Sequence, residues 1–91
     1  MPFTIIYPDS YVKHAKKFLS KHPEIHNQYQ KTLELLEINP HHPSLRFHNL
    51  SGRLKGLSSV SINISYRITL ELEISDEEII LINVGTHAQV Y

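Results

Sequence analysis

The sequence contains no cysteine and no tryptophan, and only three of its 91 residues are glycine. Without cysteine it has neither a disulfide framework nor a thiolate metal site, which fits a reducing cytosol. It has no run of about 18 apolar residues, so no membrane-spanning segment is predicted. The N-terminus also lacks the basic and then apolar pattern of a secretory signal. We therefore expect a cytoplasmic protein.

The composition is that of an ordinary globular protein, with 41% apolar and 20% charged residues. Its length predicts a single domain over residues 1–91. The net charge is zero, but the charges are segregated along the chain. Residues 1–57 hold eight Lys or Arg and four Asp or Glu, whereas residues 58–91 hold Arg67 and five carboxylates. Such asymmetry indicates either a basic face for phosphates or two surfaces that attract each other in the fold.

Apolar and polar residues alternate strictly in the C-terminal half of the chain. Every even position from Val60 to Ile74 is apolar and every odd position between them is polar. This period predicts strands with one buried and one solvent-exposed face. One strand of that length, at about 3.3 Å per residue, is too long for the domain, so we expect a hairpin broken near residues 63–65. A third strand is expected at residues 78–84, followed by a short polar tail. Arg67 has odd parity and is expected to face outward.

The N-terminal half shows helical spacing after a short strand at residues 3–7. Asp9 or Ser10 is expected to cap a first helix, and a second begins near Pro23 and ends before Pro40. The apolar residues that define the buried faces are Tyr11, Ala15, Phe18 and Leu19 in the first helix and Ile25, Tyr29, Leu33, Leu35 and Leu36 in the second. This order predicts an α+β fold, with an N-terminal strand, a helical hairpin and then an antiparallel sheet packed against the helices.

The chain has no nucleophile elbow, P-loop or dinucleotide fingerprint. Among the remaining polar residues, an arginine on an open sheet face suits phosphate binding, and a histidine transfers protons near neutral pH. Arg67 together with His48 and His87 could therefore cleave a phosphodiester without a metal. In the alternative interpretation, Arg67 pairs with a neighbouring glutamate and His87 is an ordinary surface residue.

Three spaced motifs carry a family resemblance over residues 46–91. They are His48-x-Leu50-x-Gly52-x-Leu54-x-Gly56-x-Ser58, then Tyr66-Arg67-Ile68, and finally Asn83-Val84-Gly85-Thr86-His87-x-x-Val90-Tyr91. In these motifs the sequence resembles the RelE/ParE superfamily, the toxins of bacterial and archaeal type II toxin–antitoxin pairs. It looks most like the YafQ-like and RelE/StbE-like branch.

The resemblance implies an endoribonuclease that cuts mRNA in the ribosomal A site by attack of the ribose 2′-hydroxyl, with no metal and no cofactor. Arg67 would contact the scissile phosphate, His87 and His48 would transfer protons, and Tyr91 would position a base. Two basic residues of the glycine turn, Arg53 and Lys55, are expected to bind RNA. The implied partners are a cognate antitoxin, mRNA and the ribosome, without a membrane.

The sequence also departs from the family pattern. Ser61 and Ser65 occupy positions where YafQ-like toxins carry a histidine and an aspartate, and Ser44 is nearest to the glutamate of YoeB-like toxins. His48 would therefore have to supply the second proton-transfer group. Two alternatives remain open. One is a ParE-like toxin that inhibits DNA gyrase without nuclease activity, although the presence of both His48 and His87 argues against it. The other is a degenerate domain that retains antitoxin binding.

Overall fold

A computed structural model describes residues 2–90, apart from the side chain of Gln89. Its strands are β1 (Thr4–Ile6), β2 (His48–Asn49), β3 (Ser58–Ser61), β4 (Tyr66–Glu73) and β5 (Glu78–Thr86). Its α-helices are α1 (Asp9–Lys21), α2 (His26–Ile38) and α3 (His87–Val90). Short 3₁₀ turns lie at Pro23–Ile25, Pro43–Leu45 and Gly52–Leu54. None of the described helices is long and apolar enough to cross a bilayer.

The strands form one sheet in the order β1-β5-β4-β3-β2. The strands that follow the helices pair antiparallel, as predicted, and β1 joins the edge of β5 in parallel, with Thr4 opposite Glu78. The α+β arrangement is therefore confirmed. The expectation of a polar tail after residue 84 is wrong, because β5 continues to Thr86 and α3 then packs against β4 and β5.

The core lies between the sheet and the helix pair α1–α2. The predicted apolar positions of both helices are buried or half-buried, and Leu36 of α2 is fully inaccessible to solvent. From the sheet, the core receives Val60, Ile68, Leu70, Ile79, Leu81 and Val84. The helix α1 also covers the edge of β5 beyond the end of β1, where the His14 Nε2–H donates a 2.8 Å hydrogen bond to the Val84 carbonyl.

The predicted cap of α1 is wrong. The helix begins at Asp9 itself, after Pro8, and no side chain makes a capping hydrogen bond there. Pro8 has φ −58° and ψ 149°, which sets the direction of the chain as it enters the helix. The Asp9 carboxylate instead lies in the first turn, where it interacts favourably with the helix dipole.

The alternating pattern predicts the buried face correctly within the strands but fails around them. Ile64 and Ile74 have the parity of core residues, yet they are 95% and 71% exposed because both lie in turns. On the opposite face, Ser59 and Thr69 are 0% and 1% exposed, and in the described part of the chain neither hydroxyl has a hydrogen-bond partner. The face predicted to be solvent-exposed is therefore partly covered.

The turn between β4 and β5 contains a strained residue. Glu77 has a φ of 54°, in the left-handed region, and its N–H donates to the Ile74 carbonyl at 3.2 Å.

We expect Glu77→Gly to raise the free energy of unfolding by about 0.5–1 kcal/mol, because glycine relieves the backbone strain at this position. The left-handed conformation costs a residue with a Cβ about 1–2 kcal/mol, which glycine avoids. The greater conformational freedom of glycine in the unfolded chain offsets part of that gain. Urea unfolding measures this difference. Glu77→Gln is the control, because it removes the charge and keeps the Cβ. If the free energy of unfolding rises equally in both variants, the cause is relief of charge repulsion and not relief of backbone strain.

Candidate active site

The register of the sheet places His48 and Arg67 on the same face. His48 is opposite Ser59 on β3, and Ser61, two residues further along β3, is opposite Arg67 on β4. Residues that are opposite or two apart project from the same side of a sheet. The Cα atoms of His48 and Arg67 are two strand spacings apart across the sheet and two residues apart along it. These spacings put them roughly 12 Å apart.

Arg67 is half-buried and lines a cavity of about 250 Å³. The other lining residues are Ser44, Arg46, Ser61, Ile62, Asn63 and Ile64. Arg46 lies in the left-handed region, with a φ of 52°, directly after the Pro43–Leu45 turn. Two guanidinium groups at one small cavity make it suited to an anion with several oxygen atoms, such as a phosphate.

The turn before Arg67 is fixed by one side chain. The Asn63 Oδ1 accepts hydrogen bonds from the backbone N–H groups of Ser65 at 2.8 Å and Tyr66 at 3.0 Å. The Asn63 Nδ2 donates to the Gln28 Oε1 of α2 at 2.9 Å. These bonds connect the hairpin to the helix and so hold the start of β4, where Arg67 lies. Arg67 is thus positioned by backbone that is anchored on two sides.

His48 is an exposed residue whose ring orientation is set by a backbone contact. Its Nδ1 lies 3.2 Å from the Arg46 carbonyl oxygen, which accepts the hydrogen bond. A carbonyl cannot donate, so the neutral ring carries its proton on Nδ1 and Nε2 is the basic nitrogen. This tautomer allows Nε2 to act as a general base toward a substrate on this face.

His87 begins α3, two residues after the Gly85 that is opposite Arg67 on β5. Its side chain is exposed. Arg67 on β4 therefore lies between β2, which carries His48, and the end of β5, which leads into His87. Tyr91 lies outside the described residues, so its predicted role stays a prediction.

The two basic residues predicted from the glycine turn lie elsewhere. Lys55 borders a different cavity, with Leu72 and Ile74 from the far end of β4, and Arg53 is an exposed residue of the Gly52–Leu54 turn. Neither is among the lining residues of the Arg67 cavity. The structure thus places His48 and Arg67 on the same face of the sheet and His87 directly after β5, and it leaves Arg53 and Lys55 outside the lining of the Arg67 cavity.

The charge segregation of the sequence is also spatial. The carboxylates of residues 71–78 lie at the end of β4 and β5 that is remote from Arg67. There Glu71 hydrogen-bonds to Glu73 and repels it, which raises the pKa of the Glu73 carboxyl above its ordinary value. A polyanion is therefore repelled from the acidic end of the sheet and attracted to the end that carries Arg46 and Arg67.

The fold matches known toxin structures over nearly the whole length of the chain. YafQ from E. coli superposes with a TM-score of 0.80 and 21% identity over 98% of both chains. The toxin of the E. coli DinJ–YafQ toxin–antitoxin complex gives 0.78 and 22% over 100% of this chain and 99% of that one. A YoeB/ParE toxin from Agrobacterium tumefaciens gives 0.74 and 13% over 93% and 99%. The chain has the same fold as these toxins. No protein-family model and no curated protein sequence matches it, so the likeness is one of structure.

Sequence reasoning missed a residue that the Pro43–Leu45 turn brings to the site. Arg46 shares the cavity of Arg67, and Ser44, which the sequence had singled out only as a departure from the family pattern, lines that cavity as well as a larger one beside α2. His42 holds the turn, since its Nδ1 lies 2.8 Å from the Ser44 Oγ and accepts from the Ser44 N–H at 3.2 Å. The only sequence signal was the placement of Arg46 two residues before His48, which gave no reason to pair it with Arg67.

Proposed function

We propose that this chain is the toxin of a type II toxin–antitoxin pair and cleaves mRNA in the ribosomal A site, in the cytoplasm, without a metal or cofactor. The observation that carries the proposal is the position of Arg67, at a cavity shared with Arg46 and between the strands that lead to His48 and His87. The resemblance of the motifs and the toxin fold support the same function independently of that geometry.

The residues at this site match the three needs of phosphodiester cleavage. One imidazole takes the proton of the ribose 2′-hydroxyl, whose oxygen then attacks the adjacent phosphorus. The guanidinium of Arg67 stabilises the charge that builds up on the phosphate oxygens. The other imidazole gives a proton to the departing 5′-oxygen, so the products are a 2′,3′-cyclic phosphate and a 5′-hydroxyl. The basic Nε2 of His48 suits it for the first step, which leaves the second to His87.

A protein partner is part of the proposal. The similar YafQ chain was crystallised in a complex with DinJ, named as a toxin–antitoxin complex. We therefore expect a cognate antitoxin to bind this chain and to block the face that carries Arg67. An antitoxin segment with carboxylates would complement the end of the sheet at which Arg46 and Arg67 lie.

The test is primer extension on cellular transcripts after brief induction of the wild type and of His87→Ala. New 5′ ends within coding frames are expected in the wild type and not in the variant, because the variant lacks a proton-transfer group. His87 is exposed, so the substitution should leave the thermal unfolding of the protein unchanged. His41→Ala is a matched control, since it removes an exposed histidine that lines the cavity at the far end of β4 and not the cavity of Arg67.

Two other results would replace the proposal. Growth arrest by both proteins without new 5′ ends would indicate a toxin that acts by protein contact, such as inhibition of DNA gyrase. The absence of both arrest and new ends would indicate a domain that retains only antitoxin binding.

A further inference from the structure

A second cavity adjoins that of Arg67 and extends the basic surface toward α2. It has a volume of about 600 Å³ and is bounded by α2, the Pro43–Leu45 turn and the end of β3. Its polar lining residues are Gln28, Lys31, Thr32, His42, Ser44 and Ser61. Ser44, Ser61 and Ile62 line both cavities, so the two are neighbours that share one wall. We call the pair the α2 groove.

The α2 groove carries positive charge from three separate elements. Lys31 comes from α2, Arg46 from the residue after the Pro43–Leu45 turn, and Arg67 from β4. Among the described residues, no carboxylate lines either cavity. Cations spaced along a channel fit a chain of phosphates better than a single anion.

We propose that the α2 groove binds the backbone of single-stranded RNA next to the scissile phosphate, with Lys31 and Arg46 as phosphate contacts. This inference rests on the proposed function, because the scissile phosphate is the one assigned to Arg67. It adds that the substrate is held over more than one phosphate and that the flanking strand runs toward α2.

The strain at Arg46 allows a precise variant. Its φ of 52° is left-handed, a conformation that asparagine tolerates better than most residues. Arg46→Asn therefore removes the cation without adding backbone strain. Lys31 is an exposed helical residue, and glutamine is a comparable helix former, so Lys31→Gln removes its charge with the helix preserved. Lys16→Gln of α1 is the matched control, because Lys16 is exposed and lines neither cavity.

The test is fluorescence anisotropy with a labelled 2′-O-methyl RNA of about 12 nucleotides, a length within the usual range of single-strand sites. This probe cannot be cut, because its attacking hydroxyl is blocked. The Kd is measured between about 50 and 200 mM salt for each protein. Loss of one phosphate contact is expected to reduce the slope of log K against log salt by about 0.7, which weakens binding about fivefold near 0.1 M salt. We expect this change for Arg46→Asn and for Lys31→Gln, and none for Lys16→Gln.

The outcomes separate this inference from the proposed function. If Arg67→Ala weakens RNA binding while Arg46→Asn and Lys31→Gln match Lys16→Gln, the groove is not the RNA path and the inference is wrong, although the proposed function stands. If the wild type does not bind the probe and Arg67→Ala has no effect on cleavage, the proposed function itself fails. Thermal unfolding of each variant identifies any change that arises from loss of the fold.

Discussion

Replacement of Arg67 by alanine is expected to slow RNA cleavage by about 10²- to 10³-fold, the usual cost of removing one preorganised donor from a developing oxyanion. Arg67 is half-buried at a small cavity, and the Asn63 bonds fix the turn before it. The backbone that carries its guanidinium is therefore fixed before the substrate arrives. An interaction that needs no rearrangement during the reaction stabilises the transition state more than a mobile surface charge does.

Single-turnover cleavage of mRNA on programmed ribosomes measures this loss. Arg67→Lys separates charge from geometry, because it keeps the cation and loses the planar fork of donors. We expect the lysine variant to fall between the wild type and the alanine variant. Cleavage by Arg67→Ala at the wild-type rate would show that the phosphate is bound elsewhere and would remove Arg67 from the mechanism.

The largest expected loss of stability comes from Leu45→Ala. Leu45 is 1% exposed and lies in the 3₁₀ turn that packs against α2 and β3. Truncation of a fully buried leucine costs about 2–5 kcal/mol through lost burial and the cavity left behind. Because a domain of this kind is typically stable by about 5–15 kcal/mol in total, a large part of the folding free energy would be lost.

Leu45 also anchors the segment that supplies His42, Ser44 and Arg46 to the α2 groove. Urea unfolding at equilibrium measures the cost of Leu45→Ala. The matched control is Ile38→Ala, a 71% exposed position that we expect to change stability by less than about 0.5 kcal/mol. Equal effects of the two substitutions would mean that the turn is not anchored by its leucine.

The sequence was sufficient for the two long helices and for β3 and β4, since the period of two is strict over these strands and the helical stripes are clear, but it did not show α3. It could not show the parallel pairing of β1 with β5, because nothing local links residues more than 70 positions apart. Nor could it show that Ser59 and Thr69 are buried. Alternation indicates which face of a strand is apolar, and whether the other face is covered depends on tertiary packing.

Of the candidate site, only the residues that belong to a sequence motif could be predicted. The resemblance assigned His48, Arg67 and His87, and the register of the sheet places His48 and Arg67 on the same face. Arg46 and Lys31 carry no motif, and they reach the same groove because α2 and the Pro43–Leu45 turn pack against the end of β3. Residues that come together only through tertiary packing are not visible as a pattern in one sequence.

The pairing of β1 with β5 also governs when this protein can assemble during its own synthesis. A ribosome releases β1 first and β5 last, and at about 5–20 residues per second the interval between Thr4 and its partner Glu78 lasts roughly 4–15 s. Throughout that interval β1 has no strand to join. The sheet therefore cannot close until the ribosome has made β5, and the chain spends those seconds on the ribosome with its first strand unpaired.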